Sequence, residues 1–250
     1  MMSSKLARAL CNLLVAAAVP ASLNAQTFES GTARDAAGGT TYECLHVALL
    51  DSSGKAIDHT VTDSAGQFVF QMARPGVYRV KFIVNHWEPL FGPVDTLKEG
   101  DFRERSYALD FKTALVPDSV VDSTYPKWRA TPYTLPIGYV REERSDSAWT
   151  SHQAIPTSHG IWWPDGNLFS SGVEGSVIGR FIVDSTGRVQ RSSWRPLGAT
   201  RREFENSVVK SLPRLRWKPA LNRGQPVCEM ALEFVRFSHE DGSRHIIYTD

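Results

Sequence analysis

From residue 41 onward the chain breaks into short apolar stretches separated by turn residues. Cys44-Leu45-His46-Val47-Ala48-Leu49-Leu50 is a strand run, and Asp51-Ser52-Ser53-Gly54 follows as a turn. Val61 leads into a second turn, Asp63-Ser64-Ala65-Gly66, and then into Phe68-Val69-Phe70. Pro75-Gly76 turns again, and Val77 to Val84 alternates apolar and polar with period two. Short strands at this spacing, with Asp and Gly in the turns, predict an all-β sandwich over residues 26–112.

Residues 113–166 lose this periodicity and contain six Pro, at 117, 126, 132, 136, 156 and 164. We read residues 113–162 as a Pro/Ser-rich linker. Its aromatics, among them Trp128, Tyr133 and Trp149, imply that parts of it pack on a neighbour. Residues 163–240 return to order as β-β-α-β, a small antiparallel sheet with one helix. Val173, Val177, Phe181 and Val183 mark the first strand, and Asp184-Ser185-Thr186-Gly187 marks a hairpin. Val189 to Trp194 is the second strand. Thr200 and Glu203 have capping-box spacing, and Phe204, Val208 and Leu212 form one apolar helix face that Pro213 ends. Val227 to Phe237 is the last strand, with Cys228, Met230, Leu232 and Phe234 on one side and Glu229 and Glu233 on the other. Residues 241–250 are left as a tail.

The first 25 residues stand apart. Lys5 and Arg8 precede an apolar run from Ala9 to Val19, and Leu23-Asn24-Ala25 ends on a small residue. This is the layout of a secretory signal cleaved after Ala25, which directs the chain to the periplasm. A retained signal would instead anchor it in the inner membrane. Export changes the reading of the cysteines. Cys44 and Cys228 would remain in an oxidising space, in different units, so a bond between them would require the units to dock. The residues favour two buried thiols on strands.

Charge narrows the partner class. The chain of 250 residues has net charge +1, which gives no reason to expect a nucleic acid. Residues 26–112 carry 9 basic and 12 acidic groups, and residues 167–250 carry 13 and 9, as expected of two units with different surfaces. Arg188, Arg191, Arg195, Arg201 and Arg202 read as a solvated basic face.

No enzymatic chemistry stands out, and no catalytic residue, cofactor or metal is expected. There is no HExxH, no nucleophile elbow and no phosphate-binding Gly-rich loop. His152 and His159 are a lone pair in the linker. Asp51, Asp63 and Asp184 each precede Ser-x-Gly, but they lack the further carboxylates of a calcium loop and read as turn caps.

Two resemblances rest on these residues. Thr60-Val61-Thr62-Asp63-Ser64-Ala65-Gly66-Gln67-Phe68-Val69-Phe70, followed by Arg74-Pro75-Gly76-Val77-Tyr78, resembles the carboxypeptidase regulatory-like, prealbumin-like domain. That resemblance makes Gly31, Ala33 and Asp35 its opening strand, and it brings no peptidase residues with it. Trp163-Pro164-Asp165, Gly172-Val173-Glu174-Gly175-Ser176-Val177, Phe181 to Val189, Arg216 to Ala220 and Gly224-Gln225-Pro226-Val227 resemble the TonB C-terminal domain. What this second resemblance implies is partner binding by an edge strand, Val227 to Val235, whose alternate side chains Val227, Glu229, Ala231, Glu233 and Val235 would choose the partner. The expected partner is an extended segment of an envelope or outer-membrane protein, in the setting of TonB-dependent transport. The alternative is a structural or adhesive envelope protein that uses the same strand to dimerise.

Overall fold

In the computed structural model the described residues are 27–72, 74–84, 89–111, 115–116, 135–136, 148–151, 153–154, 170–240 and 243–248. The expected signal at 1–25, His152, His159 and the Trp163-Pro164-Asp165 landmark lie outside them.

The described residues are mostly β-strand, with one short helix. Seven strands make the first unit: β1 (Thr27–Asp35), β2 (His46–Leu50), β3 (Ala56–Val61), β4 (Gln67–Met72), β5 (Gly76–Ile83), β6 (Leu90–Leu97) and β7 (Phe102–Leu109). They form a three-stranded sheet, β4-β1-β7, and a four-stranded sheet, β3-β2-β5-β6. Alternation decides the faces. Phe68 and Phe70 on β4 point inward, while Val69 between them is exposed. Val47, Leu49, Val80 and Phe82 meet them from the other sheet, with Tyr107 edge-on to Phe82. Gly31 in the centre of β1 lacks a Cβ because the Tyr107 ring and the Arg105 carbonyl occupy that space.

The turns follow one recipe. Asp51 Oδ1 accepts from the Ser53 and Lys55 amides, Asp63 Oδ1 from Ala65 and Gln67, and Asp184 Oδ1 from Thr186 and Arg188. The glycine three residues on has positive φ in each case: 83° at Gly54, 73° at Gly66 and 77° at Gly187. The three aspartates are turn caps, as their sequence context implies.

Short strands connect the units: β8 (Leu115–Val116) pairs with β9 (Leu135–Pro136), while β10 (Trp149–Thr150) and β11 (Gln153–Ala154) pair forward into the second unit. That unit contains β12 (Gly175–Val183), β13 (Val189–Ala199), α1 (Arg202–Ser211), a 3-10 turn (Leu212–Arg214), β14 (Trp217–Lys218), β15 (Ala220–Asn222), β16 (Gln225–Val227), β17 (Glu229–Glu240) and β18 (Ser243–Tyr248). Phe204, Val208 and Leu212 are buried along one side of α1 and its 3-10 extension, as their spacing predicts.

The expected capping box does not form. The residue capping α1 is Arg201, which makes no side-chain cap bond. Thr200 instead accepts from the Ser176 amide at 2.9 Å and so serves the neighbouring strand. The main sheet runs β13-β12-β17-β18, so the expected tail contains a strand. Among the described residues no helix is long and apolar enough to cross a membrane.

Candidate functional site

The site is the seam between the two units, and both faces of β17 explain why a seam exists. Ala231, Val235 and Phe237 join Val177, Phe181, Phe204 and Val208 under the helix. Met230, Leu232 and Phe234, together with Ile178, share a cluster with Leu45, Val47 and Phe82 of the first unit. A sheet apolar on both faces must be covered twice. Here α1 covers one side and the sandwich covers the other.

Covalent and polar contacts close the seam. Cys44 and Cys228 form a disulfide, with Cα atoms 5.5 Å apart. The two separate thiols favoured by the sequence are therefore corrected: docking brings the residues together. The Met230 amide donates to the Cys44 carbonyl at 2.7 Å, beside a left-handed φ of 56° at Cys44. The tip of the β15–β16 hairpin reaches β3. Arg223 and Gly224 both have positive φ, as a type I′ turn requires. This presents Asn222 Nδ2 to the His59 carbonyl at 2.9 Å and Arg223 Nη2 to Asp58 Oδ1 at 2.6 Å.

Beside that hairpin, Trp149 stacks on His46 with ring centroids 3.6 Å apart and planes 10° off parallel. His46 Nε2 and His59 Nδ1 are 2.9 Å apart. Burial holds the His46 imidazole well below its usual pKa, and the nearby His59 and Lys81 charges push the same way. Two residues on from Trp149, the Ser151 hydroxyl donates to the buried Glu229 carboxylate at 3.3 Å.

At another part of the seam a cleft of about 90 Å³ opens between the loop at Thr40–Glu43 and strands β12 and β13. Arg180 and Arg195 both line it, and they occupy facing positions on the paired strands. The Arg180 guanidinium sits 4.5 Å over the Tyr42 ring, a cation–π contact. Its Nη2 is 4.0 Å from Asp35 Oδ2. Burial pushes the Tyr42 hydroxyl up to about 12, against the opposing charge of Arg180. A bulge sets this geometry: the β12–β13 register shifts between Arg180 and Ile182, and Ser193 Oγ accepts the Ile182 amide at 2.8 Å.

The residues expected to choose a partner lie elsewhere. Val227 is in β16, opposite Ala220. Glu229, Ala231, Glu233 and Val235 are buried in β17, opposite Val183, Phe181, Gly179 and Val177 of β12. Val235 also pairs with Tyr248. β17 is therefore not the outer strand of its sheet: β18 flanks it from Val235 to Glu240, and nearer its start the Met230 amide donates to the Cys44 carbonyl. Arg180 and Arg195 were not legible as a site: Arg195 carried only the signal of a basic face, and their pairing depends on the bulge. Among the described residues, no group of three or more His, Cys, Asp or Glu could hold a metal ion.

No family model matches the chain, and no curated protein matches it. Several solved structures overlap it at low similarity. The Bacillus anthracis TIE protein is 10% identical with a TM-score of 0.29, over 90% of this chain and 31% of that one, so the chain spans about a third of its length. A DUF3823 family protein from Bacteroides uniformis is 10% identical with a TM-score of 0.29, over 90% and 96% of the two chains. A Bacteroides uniformis protein described as a candidate carbohydrate binder is 8% identical with a TM-score of 0.31, over 89% and 98%. No ligand or activity follows from overlaps this slight. The TonB C-terminal and carboxypeptidase regulatory-like resemblances are both corrected, since neither family's model matches. Their physical basis explains the misreading. The Asp-x-x-Gly turn between alternating strands is a general hairpin solution, and this chain uses it three times across both units.

Proposed function

We propose that this chain is an exported, non-enzymatic binding protein of the cell envelope, in which two β-rich units work as one docked body. The observation that carries this reading is the Cys44–Cys228 disulfide across the seam. Such bonds persist in oxidising compartments and are rare where thiols are kept reduced. The basic and apolar pattern of residues 5–25 supports the same compartment. Binding, rather than catalysis, is supported by a seam whose polar groups serve docking and whose cleft is lined by fixed cations. The experiment is fractionation of cells with thiol trapping. The protein is expected in the periplasmic or envelope fraction, with both cysteines resistant to maleimide until reduced. Recovery in the cytosol with two reactive thiols would overturn the reading.

A second reading, an architectural envelope protein that self-associates, draws on the outer face of β4-β1-β7. Phe102 there is 63% exposed and Val69 56% exposed, and Phe102 stands opposite Phe28. Sedimentation would favour it if Phe102→Ser abolished a concentration-dependent dimer.

A further inference from the structure

We propose that the cleft lined by Arg180 and Arg195 binds the carboxylate of a small ligand. Like charges at facing positions of paired strands repel, so this pairing disfavours the bare sheet. Sites that break such a rule are where a ligand is expected to compensate. Asp35 compensates Arg180 in part: its Oδ2 forms an ion pair with Arg180 Nη2 at 4.0 Å, without a hydrogen bond, while its Oδ1 accepts the Ala37 amide at 2.8 Å. Glu43 lines the cleft as well.

Both guanidinium groups are held in place. Arg180 is fixed over the Tyr42 ring, with its side chain only 14% exposed. Arg195 directs Nη1 to the carbonyls of Ser192 and Trp194, at 3.0 and 2.8 Å. Pre-positioned planar donors suit a planar carboxylate, which arginine can engage with two parallel hydrogen bonds. Two arginines against Asp35 and Glu43 sum to zero, so net charge supplies no attraction and the planar match of the donors is what favours a carboxylate. The volume, about 90 Å³, admits a carboxylate and its first neighbours rather than a large solute. Two sources present that chemistry: the free end of a peptide and an acidic sugar.

The proposal deepens the binding reading above, and its test uses purified oxidised protein, so its failure is separate from failure of the compartment experiment. Arginine side-chain NMR signals are followed while N-acetylglycine, N-acetylglycinamide or galacturonate is added. Saturable shifts at Arg180 and Arg195 are expected from the two acids and not from the amide. Tighter binding of N-acetylglycine points to a peptide terminus, and tighter binding of galacturonate to an acidic sugar. Arg195→Gln is expected to weaken binding by about tenfold or more, and Arg195→Lys to restore only part of it, because lysine lacks the planar fork. Retention of the disulfide in both variants checks that the seam is intact. Absence of saturable shifts with either acid, equal shifts from the amide, or unchanged affinity in Arg195→Gln would each overturn the proposal.

Discussion

His46 and His59 share a single hydrogen bond between ring nitrogens, 2.9 Å apart, beneath the stacked indole of Trp149. Such a bond needs one donor and one acceptor, so two charged imidazoles would set donor against donor. The His46 pKa lies well below 6.5 in the fold and returns to about 6.5 on unfolding. The unfolded chain therefore binds the proton first as the pH falls. Stability should be greatest above about pH 6.5 and decline below it, by up to about 1.4 kcal/mol per pH unit for this one group. Glu29 acts in the opposite sense, because burial raises its pKa and its stabilising contribution is lost as the pH rises through the acid range. Urea unfolding of wild type and His46→Gln between pH 5 and 7 separates the two. The glutamine amide can still donate to His59 but does not titrate, so the slope should flatten. An unchanged slope would refute the assignment.

The disulfide should contribute strongly, because it closes a loop of 184 residues. On the chain-entropy model that loop sets a ceiling of about 5 kcal/mol at 25 °C, and measured losses run about 2–5 kcal/mol. The double variant Cys44→Ser, Cys228→Ser is expected to keep the packed seam through Met230, Leu232 and Phe234, and to unfold at lower denaturant concentration. A midpoint equal to that of the oxidised wild type would mean that the bond adds nothing to the docked state.

Local features were legible in the sequence and relationships between distant segments were not. The Asp-x-x-Gly turns and the apolar face of α1 depend on neighbours within a few residues, so residue type and spacing revealed them. β18 is the exception, because Asp241-Gly242, a strong two-residue hairpin signal, separates it from β17, and reading residues 241–250 as a tail passes over that signal. The capping box illustrates the limit set by distant segments. Thr200 and Glu203 have the right spacing, yet a strand 24 residues away claims the hydroxyl. Glu229 and Glu233 suggested an outward face by polarity alone. Two layers, α1 and the sandwich, bury that strand on both sides, and nothing in the strand itself announces the second.

Gly187 and Gly54 make a matched pair of probes. Both sit in the same turn motif with similar backbone angles, φ 77° and 83°. A Cβ on Gly54 would meet nothing within 4 Å, whereas on Gly187 it would collide with the Trp217 carbonyl. Gly54→Ala should therefore cost only the left-handed penalty, about 1–2 kcal/mol. Gly187→Ala carries that penalty and also displaces the Trp217 segment, whose amide donates to the Gly187 carbonyl at 3.0 Å. A loss of about 3 kcal/mol or more is expected. Chemical denaturation of the two variants side by side is decisive, and equal losses would show that the close approach to Trp217 is absent in solution.

Ser193 tests whether the bulge that shapes the cleft depends on one hydroxyl. Its Oγ accepts the Ile182 amide at 2.8 Å and donates to the Gln190 carbonyl at 2.5 Å. Ile182 is buried, so removing the hydroxyl leaves its amide without that acceptor in a place where water enters with difficulty. Ser193→Ala should cost about 1–3 kcal/mol, the desolvation penalty of an orphaned group. Hydrogen exchange at the Ile182 amide should accelerate selectively, with amides in α1 unaffected. The same variant should weaken carboxylate binding, since the register shift beside Ser193 aligns Arg180 with Arg195. Unaltered exchange at Ile182 would mean that the strand finds another acceptor and that the hydroxyl does not set the bulge.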